Sequence, residues 1–118
     1  MNLLFIGAGR MNAALICGLL DTGLCEPREL KVVARSPQKS RPFLEKTGLQ
    51  VEAPAAKLAE QAEVVLLGVK PADALAALHP FRAGLQGRLL ISVVAGLTLR
   101  SLAAHVPGAR LIRAMPNT

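Results

Sequence analysis

The chain has 118 residues, 52% of them apolar and only 3% aromatic, with no Trp or Tyr. That is one domain by length, with enough apolar material for a core of its own, and it excludes a disordered chain. The formal charge of +6 raises a nucleic-acid partner, but the basic residues are spread along the chain and rings for base stacking are lacking, so an anionic small molecule is the better expectation.

Cys17 and Cys25 show no metal or redox spacing, and two cysteines give no disulfide framework. A reduced, cytoplasmic setting is expected. The opening Met1-Asn2-Leu3-Leu4-Phe5-Ile6 lacks a basic n-region and is not read as a signal peptide, and no apolar run approaches a membrane span.

In chain order, Leu3–Ile6 reads as a strand and Arg10–Leu20 as a helix. Apolar residues on two faces of that helix predict burial on more than one side, with Gly23 as its stop. Leu30–Ala34 is a second strand. Ser36–Lys46 reads as a helix capped by Ser36, although Pro42 inside it removes a hydrogen bond and crowds the preceding turn. Leu49–Val51 is a third strand, Ala55–Gln61 a helix, and the apolar run Val64–Val69 a fourth strand buried on both faces. Ala72–Leu78 follows as a helix, Leu89–Val94 as a fifth strand, Thr98–His105 as a helix and Arg110–Arg113 as a sixth strand. This alternation predicts right-handed crossovers and an α/β, Rossmann-type, doubly wound and mostly parallel sheet.

Between the first strand and helix lies Gly7-Ala8-Gly9-Arg10-Met11-Asn12. Gly7 permits the tight turn, Gly9 lets backbone approach a pyrophosphate, and the helix amides and dipole then face the anion. Asn12 departs from the glycine or alanine usual at the third position. It is expected to push the helix off the strand or to point toward the phosphates.

The second strand ends in Val33-Ala34-Arg35-Ser36, without the Asp or Glu that grips an NAD ribose. Glu26 and Glu29 lie at its other end. Arg35 and Ser36, with Lys39 nearby, suit a 2′-phosphate. One hydrogen bond to a charged group is worth about 1.5–3 kcal/mol, roughly tenfold to a hundredfold in favour of NADP over NAD.

Other segments fall at the carboxyl ends of strands, where such sheets bind ligands. They are Val69-Lys70-Pro71, Val94-Ala95-Gly96 and Met115-Pro116-Asn117-Thr118. His79 and His105 suit helix C-terminal capping, and Asp73 a first-turn acid facing a helix dipole. No nucleophilic triad, paired-carboxylate site or metal cluster is recognisable.

These ordered motifs resemble the N-terminal half of the pyrroline-5-carboxylate reductases. They are Phe5-Ile6-Gly7-Ala8-Gly9-Arg10-Met11, Ala34-Arg35-Ser36, Ala62 through Pro71, Ile91 through Gly96, and Arg113 through Thr118. The resemblance implies hydride transfer from NADPH, with NADH possible, to the C=N carbon of 1-pyrroline-5-carboxylate, giving L-proline. It implies that Ile6, Gly7, Ala8, Gly9, Arg10 and Met11 hold the pyrophosphate and that Arg35 and Ser36 hold the 2′-phosphate. Val69, Lys70, Pro71, Ala95 and Gly96 would line the nicotinamide side, with Asn117 near its amide. Asn12 and Gly68 depart from the family's commoner small residue and alanine.

The resemblance also implies a helical C-terminal domain, absent from this chain, that forms a homo-oligomer and supplies most of the imino-acid pocket. No catalytic residue is assigned to this chain, which is expected to bind cofactor with little or no turnover. A related NADP-dependent reductase with another substrate, and a non-catalytic nucleotide-binding regulatory protein, are the alternatives.

Overall fold

All four side chains of strand β1 (Leu3–Ile6) are buried, because the strand has a neighbour on each side and helices on both faces. The computed structural model describes residues 1–115. Around β1 lie β2 (Leu30–Val33), β3 (Val51–Glu52), β4 (Val64–Leu67), β5 (Leu89–Ser92) and β6 (Arg110–Arg113). They form one sheet in the order β3-β2-β1-β4-β5-β6, with every neighbouring pair parallel.

Alternation along β1 divides the core. Leu3 and Phe5 join one cluster with Ala13 and Ile16 of helix α1 (Arg10–Asp21) and Phe43 of α2 (Arg41–Thr47). Leu4 and Ile6 join another, with Ala59 of α3 (Lys57–Glu60), Ala74 and Leu78 of α4 (Ala74–Leu78) and Leu102 of α5 (Leu99–His105). Phe5 anchors the first cluster and Phe81 the second, both wholly buried; burying such a ring contributes about 1.5–3 kcal/mol. The chain winds outward from β1 in both directions, so a crevice opens where the carboxyl ends of β1 and β4 send their connections to opposite faces.

Several expected boundaries shift for local reasons. The helix expected over Ser36–Lys46 is two elements, a 3₁₀ turn at Pro37–Lys39 and α2, broken at Ser40. Pro42 thereby occupies the first turn of α2, where a missing N–H costs nothing, and Ser36 makes no side-chain cap. Leu49 is not in a strand: Gly48 ends α2 in the left-handed region (φ +77°), and the Leu49 N–H donates to Thr47 Oγ1 at 3.1 Å. Strand β5 stops at Ser92, and the Val94 N–H donates to the Ser92 hydroxyl oxygen. Helix α1 fully buries only Asn12, Ala13 and Ile16, while Ala14 and Gly18 are exposed. It therefore has one core face rather than several. No helix among the described residues is long and apolar enough to cross a membrane.

Candidate cofactor-binding site

Gly7 and Gly9 are glycine for different reasons. Gly7 has φ +114°, and a Cβ there would overlap the Gly68 carbonyl and stand 2.8 Å from Val69 Cγ1. The fold itself requires it. Gly9 has an ordinary extended backbone (φ −98°, ψ −174°), and nothing lies within 4 Å of its would-be Cβ. No protein group asks for glycine there, and the position stands open.

That space lies at the start of α1. Gly9 is the residue preceding the helix, which has no side-chain cap and no acidic residue in its first turn. The first intrahelical bond runs from the Ala13 N–H to the Gly9 carbonyl at 3.0 Å. The amides of Arg10, Met11 and Asn12 precede it and are free to face an anion.

The Asn12 side chain does not point toward the open space at Gly9, one of the two outcomes expected from sequence, but is turned to the Ile6 and Gly7 carbonyls. Its side chain is wholly buried beneath the turn. Nδ2 donates to the Gly7 carbonyl at 2.9 Å and to the Ile6 carbonyl at 3.2 Å.

The end of β2 runs alongside. The Ala34 N–H donates to the Glu52 carbonyl, which seats this end against β3. Arg35 is exposed, Ser36 half-buried, and both line a cavity of about 430 Å³ together with Ile6, Gly7, Ala8 and Val69. Arg35 makes no ion pair among the described residues, whereas the Glu52 carboxylate is engaged by Lys31 at 3.7 Å. Asp73 is the acid on this cavity's wall, and it comes from the 3₁₀ turn Pro71–Asp73 rather than from β2. A second cavity of about 440 Å³ joins Ala8, Gly9 and Arg10 to Phe43 and Lys46.

The remaining expected residues among those described lie outside these two cavities. Met11 is half-buried in the first turn of α1. Lys70 and Pro71 are exposed just beyond Val69, and Ala95 and Gly96 are exposed in the turn after β5. Asn117 lies outside the described residues. Sequence reasoning missed Ser40, Pro54, Ala76, Ala77, Pro80 and Phe81, which complete the first cavity. The adjacent alanines were the available signal, since small residues on a helix beside a crevice leave room for a ligand. The histidines sit at helix ends as expected, His79 as the C-cap residue of α4 and His105 in the last turn of α5; their ring centroids are 5.6 Å apart with the planes tilted by 48°, and His105 Nε2 is buried without a partner among the described residues.

The pyrroline-5-carboxylate reductase of Thermus thermophilus is 38% identical over 118 residues, covering 99% of this chain and 43% of that protein. The solved structure of a pyrroline-5-carboxylate reductase from Coxiella burnetii superposes with a TM-score of 0.86 at 32% identity, over 99% of this chain and 44% of that one. The Plasmodium falciparum pyrroline carboxylate reductase with NADP bound gives 0.83 at 26% identity, over 99% and 42%. The chain thus spans less than half the length of each of these relatives. Residues 2–96 match the model of the family described as NADP oxidoreductase, coenzyme F420-dependent, and the chain belongs to that family.

Proposed function

We propose that this chain is the cofactor-binding unit of a pyrroline-5-carboxylate reductase and that it binds NADPH. The observation that carries the reading is Gly9, an unstrained glycine with no protein neighbour, set on an uncapped helix N-terminus. The residues fit the group: a pyrophosphate fills the space a side chain at position 9 would take, and free amides meet its charge. Ile6 to Met11 hold the pyrophosphate. Arg35 and Ser36 hold the 2′-phosphate, at a strand end that carries no carboxylate for a bare ribose. Val69, Lys70 and Pro71, with Ala95 and Gly96, flank the nicotinamide, and Asn117 meets its amide.

Bound there, the cofactor supplies a hydride, which in the full enzyme reduces the C=N carbon of 1-pyrroline-5-carboxylate to give L-proline. This chain's part is to bind and orient. The imino-acid pocket and the homo-oligomeric contact are assigned to the part of the relatives that this chain does not span, and the cytoplasm is the proposed compartment. Fluorescence titration of the 118-residue chain with NADPH and NADH tests the reading. Saturable binding of NADPH, tighter than NADH, is expected. Failure to bind either dinucleotide overturns it.

A further inference from the structure

Asn12 and Gly68 are interlocked. The Asn12 side chain occupies the place of a Cβ at position 68: its Oδ1 overlaps that position, while Cγ and Nδ2 stand 2.7 and 2.9 Å away. Gly68 does not have the positive φ that favours glycine, so its backbone alone does not exclude a side chain. The carboxamide excludes it. That carboxamide is also committed on its other side, since Nδ2 is the hydrogen-bond donor to the Gly7 carbonyl. The Ile6 carbonyl is shared, accepting from both Nδ2 and the Gly68 N–H at 2.9 Å. Asn12 Oδ1 is buried with no partner among the described residues. A buried amide is costly to leave half-satisfied, so filling a gap does not by itself account for this residue.

We propose that Asn12 is a positioning residue for the cofactor and that Gly68 is the space it needs. The peptide between Gly7 and Ala8 is planar and trans, so its carbonyl and its N–H point in opposite directions. Drawing the Gly7 carbonyl inward to Asn12 aims the Ala8 N–H outward. Ala8 lines both cavities, and its N–H finds no protein acceptor among the described residues. The Asn12 side chain thus presets one amide of the anion cradle from below, without itself touching the ligand. The inference rests on the proposed site and adds to it a residue that works through the turn.

Three variants of the 118-residue chain test it: Gly68→Ala, Asn12→Ala and Asn12→Ala/Gly68→Ala. Each is followed by melting temperature without ligand and by titration with NADPH and NADH well below that temperature. Gly68→Ala is expected to melt lower and to bind at least tenfold more weakly. The double variant removes the clash and is expected to regain most of the melting temperature. It still lacks the donor to the Gly7 carbonyl, so it is expected to bind both dinucleotides several-fold more weakly than the native chain, to the same degree. Asn12→Ala shows the same affinity loss without any added side chain, which keeps the test decisive if the double variant does not fold. Native affinity in Asn12→Ala or in a folded double variant overturns the positioning role. Native melting and binding in Gly68→Ala overturns the interlock. If the native chain binds neither dinucleotide, the site reading itself fails, an outcome distinct from both.

Discussion

The Gly7 N–H donates to the Val33 carbonyl at 2.9 Å. This bond joins the glycine turn to the last residue of β2, so the turn and the Arg35-Ser36 corner leave the sheet side by side. A ligand with two anionic groups can reach both, and the two contacts can be separated by mutation.

Replacing Arg35 with Ala is expected to weaken NADPH about tenfold to a hundredfold, the value of about 1.5–3 kcal/mol for a hydrogen bond to a charged group. NADH, lacking the 2′-phosphate, should bind nearly as before. Parallel titrations decide: equal losses for the two dinucleotides would remove Arg35 from the 2′-phosphate.

Gly9→Val should separate binding from folding. The side chain enters empty space on an ordinary backbone, so thermal melting should stay close to the native value while both dinucleotides lose measurable affinity. A variant that melts normally and still titrates normally would refute the pyrophosphate assignment.

Gly7→Ala should do the reverse at the level of the fold. A left-handed alanine costs about 1–3 kcal/mol, and the overlap with the Gly68 carbonyl adds to it. Urea unfolding should show a clearly lower midpoint, and an unchanged one would contradict the packing of the turn.

Thr98→Ala serves as a comparison at a residue not assigned to the cofactor. The Thr98 hydroxyl oxygen accepts from the Ser101 N–H at 3.0 Å and caps α5. Its loss is expected to cost about 1 kcal/mol with no change in dinucleotide affinity. A loss of affinity here would mean that binding in the other variants reports general stability.

Much of the candidate site's framework was legible because its determinants are local. A strand, two glycines and a helix fall in sequence order, and β1 and β6 lie at the expected residues. The absence of an acid after Val33 could likewise be read directly. What escaped depends on contacts between distant segments. Nothing near Asn12 in the chain indicates that its side chain turns inward, because the room is made by Gly68, on another strand's end. Pro80 and Phe81 reach the cavity because the 3₁₀ turn His79–Phe81 extends α4, a geometry that helical periodicity does not foresee. The second helix was misjudged for the opposite reason: Pro42 was recognised as an obstacle, but its remedy, a break at Ser40, is a local choice among several.

The pairing of β1 with β4 sets the order in which the turn can mature. Leu3 lies beside Val64, and Gly7 is braced by Gly68 and Val69. The residues at the beginning of the chain therefore take their final shape only after a partner some sixty residues later has docked. Closing so wide a loop is a slow, entropically opposed event compared with forming α1. During synthesis the glycine turn leaves the ribosome some sixty residues ahead of its partner strand, and it stays unfinished until that partner arrives.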